Sequence, residues 1–296
     1  MNLPLHCKIA IAIPVYNGEN TLEEALQNIA DQEYQNFRAF IYENKSTDRS
    51  PEIAKKFCEK DPRFEIVESS QHIGMIDNFL RAIKHASGMA EYFCMRACDD
   101  KSSSDYISKL VAALEADKTK LLAGSDAERI DGSQIKRMKP NDNIFNFLYN
   151  LTEGKLPRNL NFPSEWIYGV FRSKGGAEIL LRRLPELKSP WAAASYTVTE
   201  FVVRDMVEYV DGPVYKIYAG SNSVDLYFFK NWIEKVKQRW KFTSGCFQTR
   251  KFLPKMSFGK HIKFFRMCWN DSRRKTRYSL IGFQKRPSIF IKVANK

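Results

Sequence analysis

Apolar positions in the first 130 residues follow two alternating rhythms. Lys8–Val15, Phe37–Tyr42, Phe64–Val67, Tyr92–Ala97 and Leu121–Ala123 are short, near-continuous apolar runs, the pattern of strands covered on both faces. Between them the helical spacing recurs: Leu22, Ala25, Leu26 and Ile29; Ile53, Ala54, Phe57 and Cys58; Ile76, Phe79, Leu80 and Ile83; Ile107, Leu110, Val111 and Leu114. These sets predict four amphipathic helices. Asn20 or Thr21 is available to cap the first, and Pro51 is tolerated in the first turn of the second. Strands alternating with helices of this length predict βαβ units, an α/β fold and a mainly parallel sheet flanked by helices.

From about 131 to 225 the rhythm loosens. Trp166–Arg172 reads as a strand or a strand and turn, Gly176–Leu184 and Thr197–Tyr209 as helices, and Val214–Tyr218 as a strand. After Val224 aromatic and basic residues take over, with amphipathic helices expected over Asn231–Trp240 and Lys260–Trp269. The pattern divides the chain into a catalytic region 1–225, with halves 1–130 and 131–225, and a basic aromatic, mostly helical extension 226–296.

Charge sharpens that boundary. The 296-residue chain carries a formal charge of +13. From Leu226 onward there are 19 Lys and Arg against Glu234 and Asp271 alone, and the remainder is slightly acidic. The six cysteines contain no CxxC pair, which favours a reduced, cytoplasmic setting over a disulfide framework. The N-terminal apolar run is too short for a signal peptide. No stretch approaches the roughly 18–20 apolar residues a membrane span needs.

Ligands in open α/β sheets bind beyond the carboxyl ends of the strands, and polar residues gather there. Pro14-Val15-Tyr16-Asn17 follows the first strand, Glu43-Asn44 the second and Asp99-Asp100 the fourth. Adjacent carboxylates repel each other, so a strand-end pair invites a cation. Oxygen ligands suit Mg²⁺ or Mn²⁺ shared with phosphate oxygens. A plain alternative is that the pair caps the helix starting near Ser103. No G-x-G-x-x-G follows the first strand, which argues against a Rossmann dehydrogenase.

Together these segments resemble family 2 of the inverting glycosyltransferases, with the nucleotide-diphospho-sugar (GT-A) fold. Ile13-Pro14-Val15-Tyr16-Asn17 matches the family's P-x-Y-N, and Glu43-Asn44-Lys45-Ser46-Thr47-Asp48 its D-D-x-S-x-D. His72-Ile73-Gly74 with Asn78 stands for N-x-G-x-x-x-A-x-N, and Cys98-Asp99-Asp100 for D-x-D. Ile167–Arg172 resembles an acceptor-side segment of bacterial members. The resemblance implies that Pro14, Val15, Tyr16, Asn17 and Asn78 serve the donor pocket and that Glu43 accepts a hydrogen bond from the base. It also implies that Asp99 holds ribose or diphosphate and Asp100 the divalent metal, with a UDP-linked sugar as the expected donor. Three departures stand out: Glu43 is a methylene longer than the family's aspartate, Cys98 replaces an acid, and His72 replaces an asparagine.

Inverting transfer needs a carboxylate to take the acceptor's proton. The stretch Ala193–Glu200 lacks the family's aspartate, leaving Glu200 as first candidate, Asp205 second and Glu165 third. Glu200 also fits a plain helix-start carboxylate. The expected function is metal-dependent transfer of a hexosyl or related sugar to a glycan or lipid-linked acceptor, in bacterial surface-polysaccharide synthesis. A catalytically weak nucleotide-sugar-binding protein of the same fold is the alternative. The tail suggests peripheral attachment to an anionic, cytoplasmic-face membrane. Its plain alternative is aromatic residues packed back onto the catalytic region. No RNA or DNA motif accompanies it.

Overall fold

The computed structural model describes residues 7–187, 190–218 and 231–276. Among them a mixed sheet of nine strands forms the centre: β1 (Cys7–Val15), β2 (Phe37–Glu43), β3 (Phe64–Ile66), β4 (Ala90–Met95), β5 (Lys101–Ser102), β6 (Leu122–Asp131), β7 (Gln134–Met138), β8 (Val170–Arg172) and β9 (Val207–Tyr218). The order is β3-β2-β1-β4-β8-β6-β9-β5, with β7 hairpinned onto β6. Strands β1 to β4 pair in parallel, as their double-sided burial predicts. Strand β8 then runs antiparallel between β4 and β6. The expected α/β fold is therefore present, with its parallel character concentrated in the first half.

The predicted helices form as α1 (Leu22–Ala30), α2 (Ser50–Lys60), α3 (Met75–Met89) and α4 (Tyr106–Ala116). Alternation along β1 shows how they cover the sheet. Ile9, Ile11 and Ile13 enter a core shared with α1, α2 and α4, while Ala10 and Ala12 enter the other core with α3. That second core also takes α5 (Phe147–Thr152), α6 (Ser173–Arg183), α7 (Pro190–Val203), α8 (Trp232–Gln248) and α9 (Phe258–Lys275).

One expectation for the second half is corrected, and another is met in one of its two forms. The helix expected over Thr197–Tyr209 stops at Val203, and Val207–Tyr209 belongs to β9, paired in parallel with Leu122–Gly124. The stop is local. Asp205 adopts left-handed φ 52°, its N–H donates to Val202 O, and the Met206 N–H donates to Phe201 O, the two bonds of a Schellman ending. Trp166–Arg172 divides into a 3₁₀ turn over Ser164–Tyr168 and β8. Gly169 sits between them because a Cβ there would lie 2.3 Å from the Ala123 carbonyl oxygen.

The boundary at 225 and the aromatic residues Tyr227, Phe228 and Phe229 lie outside the described residues. Beyond them, α8 and α9 form the expected helical C-terminal region. Phe242, Cys246, Phe264, Met267 and Cys268 are buried in the same core as α6 and α7. One flank of α9 also donates to a row of backbone carbonyls, with Lys260 bonding Thr152, Lys263 Gly154, Asn270 Arg158, Arg274 Leu160 and Lys275 Phe162. The alternative of packing back onto the catalytic region accounts for this flank.

Candidate active site

The ends of β1, β2 and β4 converge, and two loops lock together there. After β1, Asn17 takes φ 52°. Its N–H donates to Ser46 Oγ (3.1 Å) and its Oδ1 accepts from the Thr47 N–H (2.8 Å). Gly18 N–H donates to Ser50 Oγ (2.8 Å), and Glu19 N–H to Asp48 (2.9 Å). The two motifs read from the sequence thus form one surface. Tyr16 lies at its rim, exposed and against the His72 ring at 4.3 Å, while His72 Nδ1 contacts Asn44 O at 3.1 Å.

Several expected donor residues turn out to position this surface. Glu43 is buried, and its carboxylate accepts from the Lys45 and Ser46 N–H groups (2.9 and 2.6 Å). The extra methylene relative to aspartate lets the carboxylate curl back onto its own loop. Val15 is buried, with its carbonyl taken by the Asn44 N–H, and Pro14 lies opposite Tyr42 in the sheet. Asn78 braces the loop. It donates to Tyr42 O and accepts from Arg81, which also donates to Glu43 O. Both ends of its buried amide are used.

Beyond β4 the chemistry concentrates. Asp100 is 6% exposed. Burial, then the neighbouring Asp99 charge, pushes its carboxyl up to about 7, against a hydrogen bond from Tyr215 and the Arg96 charge. Burial raises Asp99 as well, and pushes the Cys98 thiol up to about 12. Cys98 is thus a small packed residue beside Gly18, whose Cβ would meet its sulfur at 3.2 Å. The buried Arg96 guanidinium is fixed by Ser102 Oγ (2.8 Å) and Asn28 Oδ1 (3.2 Å), and it lies over Tyr106 and Tyr215. Tyr168 and Tyr215 stack at 5.0 Å. Burial and then Asp100 raise the Tyr168 hydroxyl, with Asp99 and Glu165 adding to it. Sequence reading reached Tyr168 only as part of the Ile167–Arg172 segment and missed Arg96 and Tyr215; the one signal was an arginine at the end of the apolar run Tyr92–Ala97.

The structure separates the three candidate bases. Glu200 is fully buried and held by Arg182 (2.6 Å), Arg204 (3.0 Å) and Arg183 (3.3 Å). In this position it ties α6 to α7 through ion pairs. Asp205 accepts from the Phe147 and Leu148 N–H groups (2.6 and 2.8 Å), capping α5. Glu165, on the 3₁₀ turn, shares the Tyr168 environment with Asp99 and Asp100. One of its carboxylate oxygens accepts from Ser164 Oγ (3.1 Å), and the other has no hydrogen-bond partner.

No cluster of three or more His, Cys, Asp or Glu capable of holding a metal occurs among the described residues. A buried Asp100 with a partly buried Asp99 beside it still fits a hard divalent cation whose remaining ligands are phosphate oxygens and water.

A sheet of this topology, with an acid pair just beyond β4 beside two interlocked loops, defines a GT-A-type transferase. Solved structures agree at the level of fold. S. aureus TarS aligns over 90% of this chain and 71% of that one, at TM-score 0.59 and 12% identity. The mannosyltransferase PcManGT from Pyrobaculum calidifontis, in complex with GDP-Man and Mn²⁺, aligns over 90% and 70%, at TM-score 0.53 and 17% identity. The description of glycosyl transferase family 2 matches residues 10–173, and the chain belongs to that family. Glycosyltransferase GlyA of Streptococcus pneumoniae is 28% identical over 159 residues, half of this chain and 22% of GlyA. An uncharacterized glycosyltransferase of Haemophilus influenzae is 26% identical over 175 residues, 55% of this chain and 68% of its own length. The putative glycosyltransferase EpsE of Bacillus subtilis is 28% identical over 109 residues, 36% of this chain and 38% of EpsE. GlyA and EpsE are thus matched over well under half of their length.

Proposed function

We propose that the chain is a metal-dependent, inverting glycosyltransferase. It moves a hexosyl or related sugar from a nucleotide-diphospho-sugar, UDP-linked, to a hydroxyl of a glycan or lipid-linked acceptor in surface-polysaccharide synthesis. The observation that carries the reading is the Asp99–Asp100 pair just beyond β4, Asp100 buried and Asp99 partly so, with Asp100 raised to about 7. Such a pair is costly without a cation. The complex of TarS with UDP-GlcNAc and that of PcManGT with GDP-Man and Mn²⁺ support the donor class and the ion.

Each side chain then has a task. Asp100 holds the ion from the protein side, and Asp99 shares the charge. Tyr16, Asn17 and the Glu43 loop line the nucleotide's seat, with Asn78 and Arg81 bracing that loop. Tyr215 and Arg96 fix Asp100 in place, so no reorganisation is needed when the donor arrives. A bound Mn²⁺ or Mg²⁺ would neutralise the diphosphate as it departs. Glu165, with one oxygen unpartnered and acting on Tyr168 together with the acid pair, takes the proton from the attacking hydroxyl.

Titration calorimetry with UDP tests the reading. Wild type should bind UDP with Mn²⁺ and lose most affinity on chelation, whereas Asp100→Ala should show no Mn²⁺ dependence. Equal UDP affinity in wild type and variant would refute the assignment. For Glu165, Glu165→Gln should bind UDP normally but release UDP from UDP-sugar at least a hundredfold more slowly. Undiminished turnover would remove Glu165 from the chemistry.

A further inference from the structure

Antiparallel helices α8 and α9 turn one face into the core and leave another uncovered. On α8, Ile233, Trp240 and Phe247 recur at i, i+7 and i+14, and on α9, Phe258, Ile262, Phe265 and Trp269 recur at i, i+4, i+7 and i+11. Both spacings keep side chains on one helical stripe. Ring contacts join the stripes across the hairpin: Trp240 meets Trp269 at 6.4 Å and Phe247 meets Phe265 at 5.3 Å. The strip is open to water, with Phe258 82%, Trp240 57%, Ile262 45% and Ile233 44% exposed. A helix of 17 or 18 residues is about 25 Å long, so the strip runs the length of both helices. Apolar strips of this extent mark interaction sites.

The borders of the strip identify its partner. Lys237, Lys241, Arg266 and Arg273 are exposed along it. Of the two acids in this segment, Glu234 is paired with Lys237 and Asp271 is buried. Neither acid of this segment offers a free outward charge, so the occupant must bring the negative charge. Residues 277–296 carry five Lys and Arg and no acid, and like charge opposes their lying along this border. A second copy would set the same basic border against itself. No helix among the described residues is long and apolar enough to cross a membrane. Aromatic rings rimmed by cations on helices lying flat suit an anionic bilayer surface, where rings seat at the headgroup level and bases meet phosphate.

We infer that the outer face of the α8–α9 hairpin docks on an anionic membrane surface. The opposite use of α9 gives the docking a purpose. The flank beside this strip holds the carbonyls of the 152–162 segment, which leads directly into Ser164 and Glu165. Docking therefore presents the acceptor side of the site at the bilayer and selects an acceptor anchored in lipid. That consequence rests on the transferase reading, whereas the docking does not.

Co-sedimentation of the full chain with vesicles tests the inference, comparing phosphatidylglycerol-containing with pure phosphatidylcholine vesicles. Preferential pelleting with the anionic vesicles is expected, weakening with salt but leaving a salt-resistant fraction from the rings. Each near-surface base contributes about a fivefold factor in partitioning, so Lys237→Gln, Lys241→Gln and Arg266→Gln together should reduce it about a hundredfold. Trp240→Ser with Phe258→Ser should abolish the salt-resistant fraction. These side chains are exposed, so melting temperature and Mn²⁺-dependent UDP binding should stay unchanged and confirm the fold. Full-length protein that stays in the supernatant at low salt overturns the inference. So does a dimer that the Trp240→Ser, Phe258→Ser pair dissolves while vesicles fail to bind, or RNA binding without vesicle binding. Loss of UDP binding with vesicle binding intact would overturn only the transferase reading.

Discussion

Replacing Asp100 by Asn should make the metal-free protein more stable and the liganded protein unable to benefit. The carboxyl is raised from its ordinary 3.8 to about 7, mainly by burial and next by Asp99. A folded-state value above the unfolded one means that the folded chain binds the extra proton between pH 4 and 7. Stability from this group is therefore complete below about pH 4 and is lost as pH rises through 7. At 1.36 kcal/mol per pKa unit the loss is at most about 4 kcal/mol, and proton sharing with Asp99 reduces the part assignable to Asp100. Asn keeps the shape and a group for Tyr215 to meet, and it carries no charge at any pH. The difference in melting temperature between variant and wild type should be near zero at pH 4 and reach about 4–8 °C by pH 8. Mn²⁺ with UDP at a hundred times Kd should return about 2.7 kcal/mol to wild type and nothing to the variant. Differential scanning fluorimetry from pH 4 to 8, with and without Mn²⁺–UDP, reads both effects. Parallel curves for the two proteins at all pH values would show that the carboxylate is not desolvated and would refute the reasoning.

Other perturbations separate architecture from chemistry. Glu200→Gln removes a buried charge from three arginines and leaves Arg183, 2% exposed, without it; a loss of about 3–5 kcal/mol in urea unfolding is expected. A Glu200→Gln variant of unchanged stability but without turnover would return Glu200 to the role of base. Glu43→Gln sets an amide NH₂ against the Lys45 and Ser46 N–H groups that the carboxylate now accepts from, so calorimetry should show weaker UDP binding and a smaller preference for UDP over GDP. Gly124→Ala places a Cβ 2.7 Å from the Trp166 ring and should cost about 1–3 kcal/mol by overpacking, measurable in the same unfolding curves. Ending the chain at Tyr218 strips Phe242, Phe264 and Met267 from the core they share with α7; cooperative thermal unfolding should disappear, and a sharp transition near the full chain's would show that the catalytic region stands alone.

Sequence periodicity determined the first half because its signals are local. A strand buried on both faces must be apolar throughout, as β1 and β2 are, and an amphipathic helix must repeat its apolar side every three to four residues, as α1 to α4 do. The strand-end positions of Asn17, Glu43 and Asp100 followed from that alternation together with the rule that α/β ligands sit beyond the strands. The second half is ordered by non-local partners. Val207–Tyr209 looks helical by composition and becomes strand because β6 offers it hydrogen bonds, while Asp205 ends the helix through a backbone conformation that composition does not encode. Tertiary packing alone decided what each acid does. Glu200 and Glu165 are both glutamates, but three arginines surround one, while the other keeps an unpartnered oxygen and acts on Tyr168 together with Asp99 and Asp100. The tail's charge and aromatic content were plain in the sequence. Which flank of α9 grips backbone carbonyls, which enters the core and which faces water depended on where the helix landed, because a side chain's environment is set by residues distant in the chain.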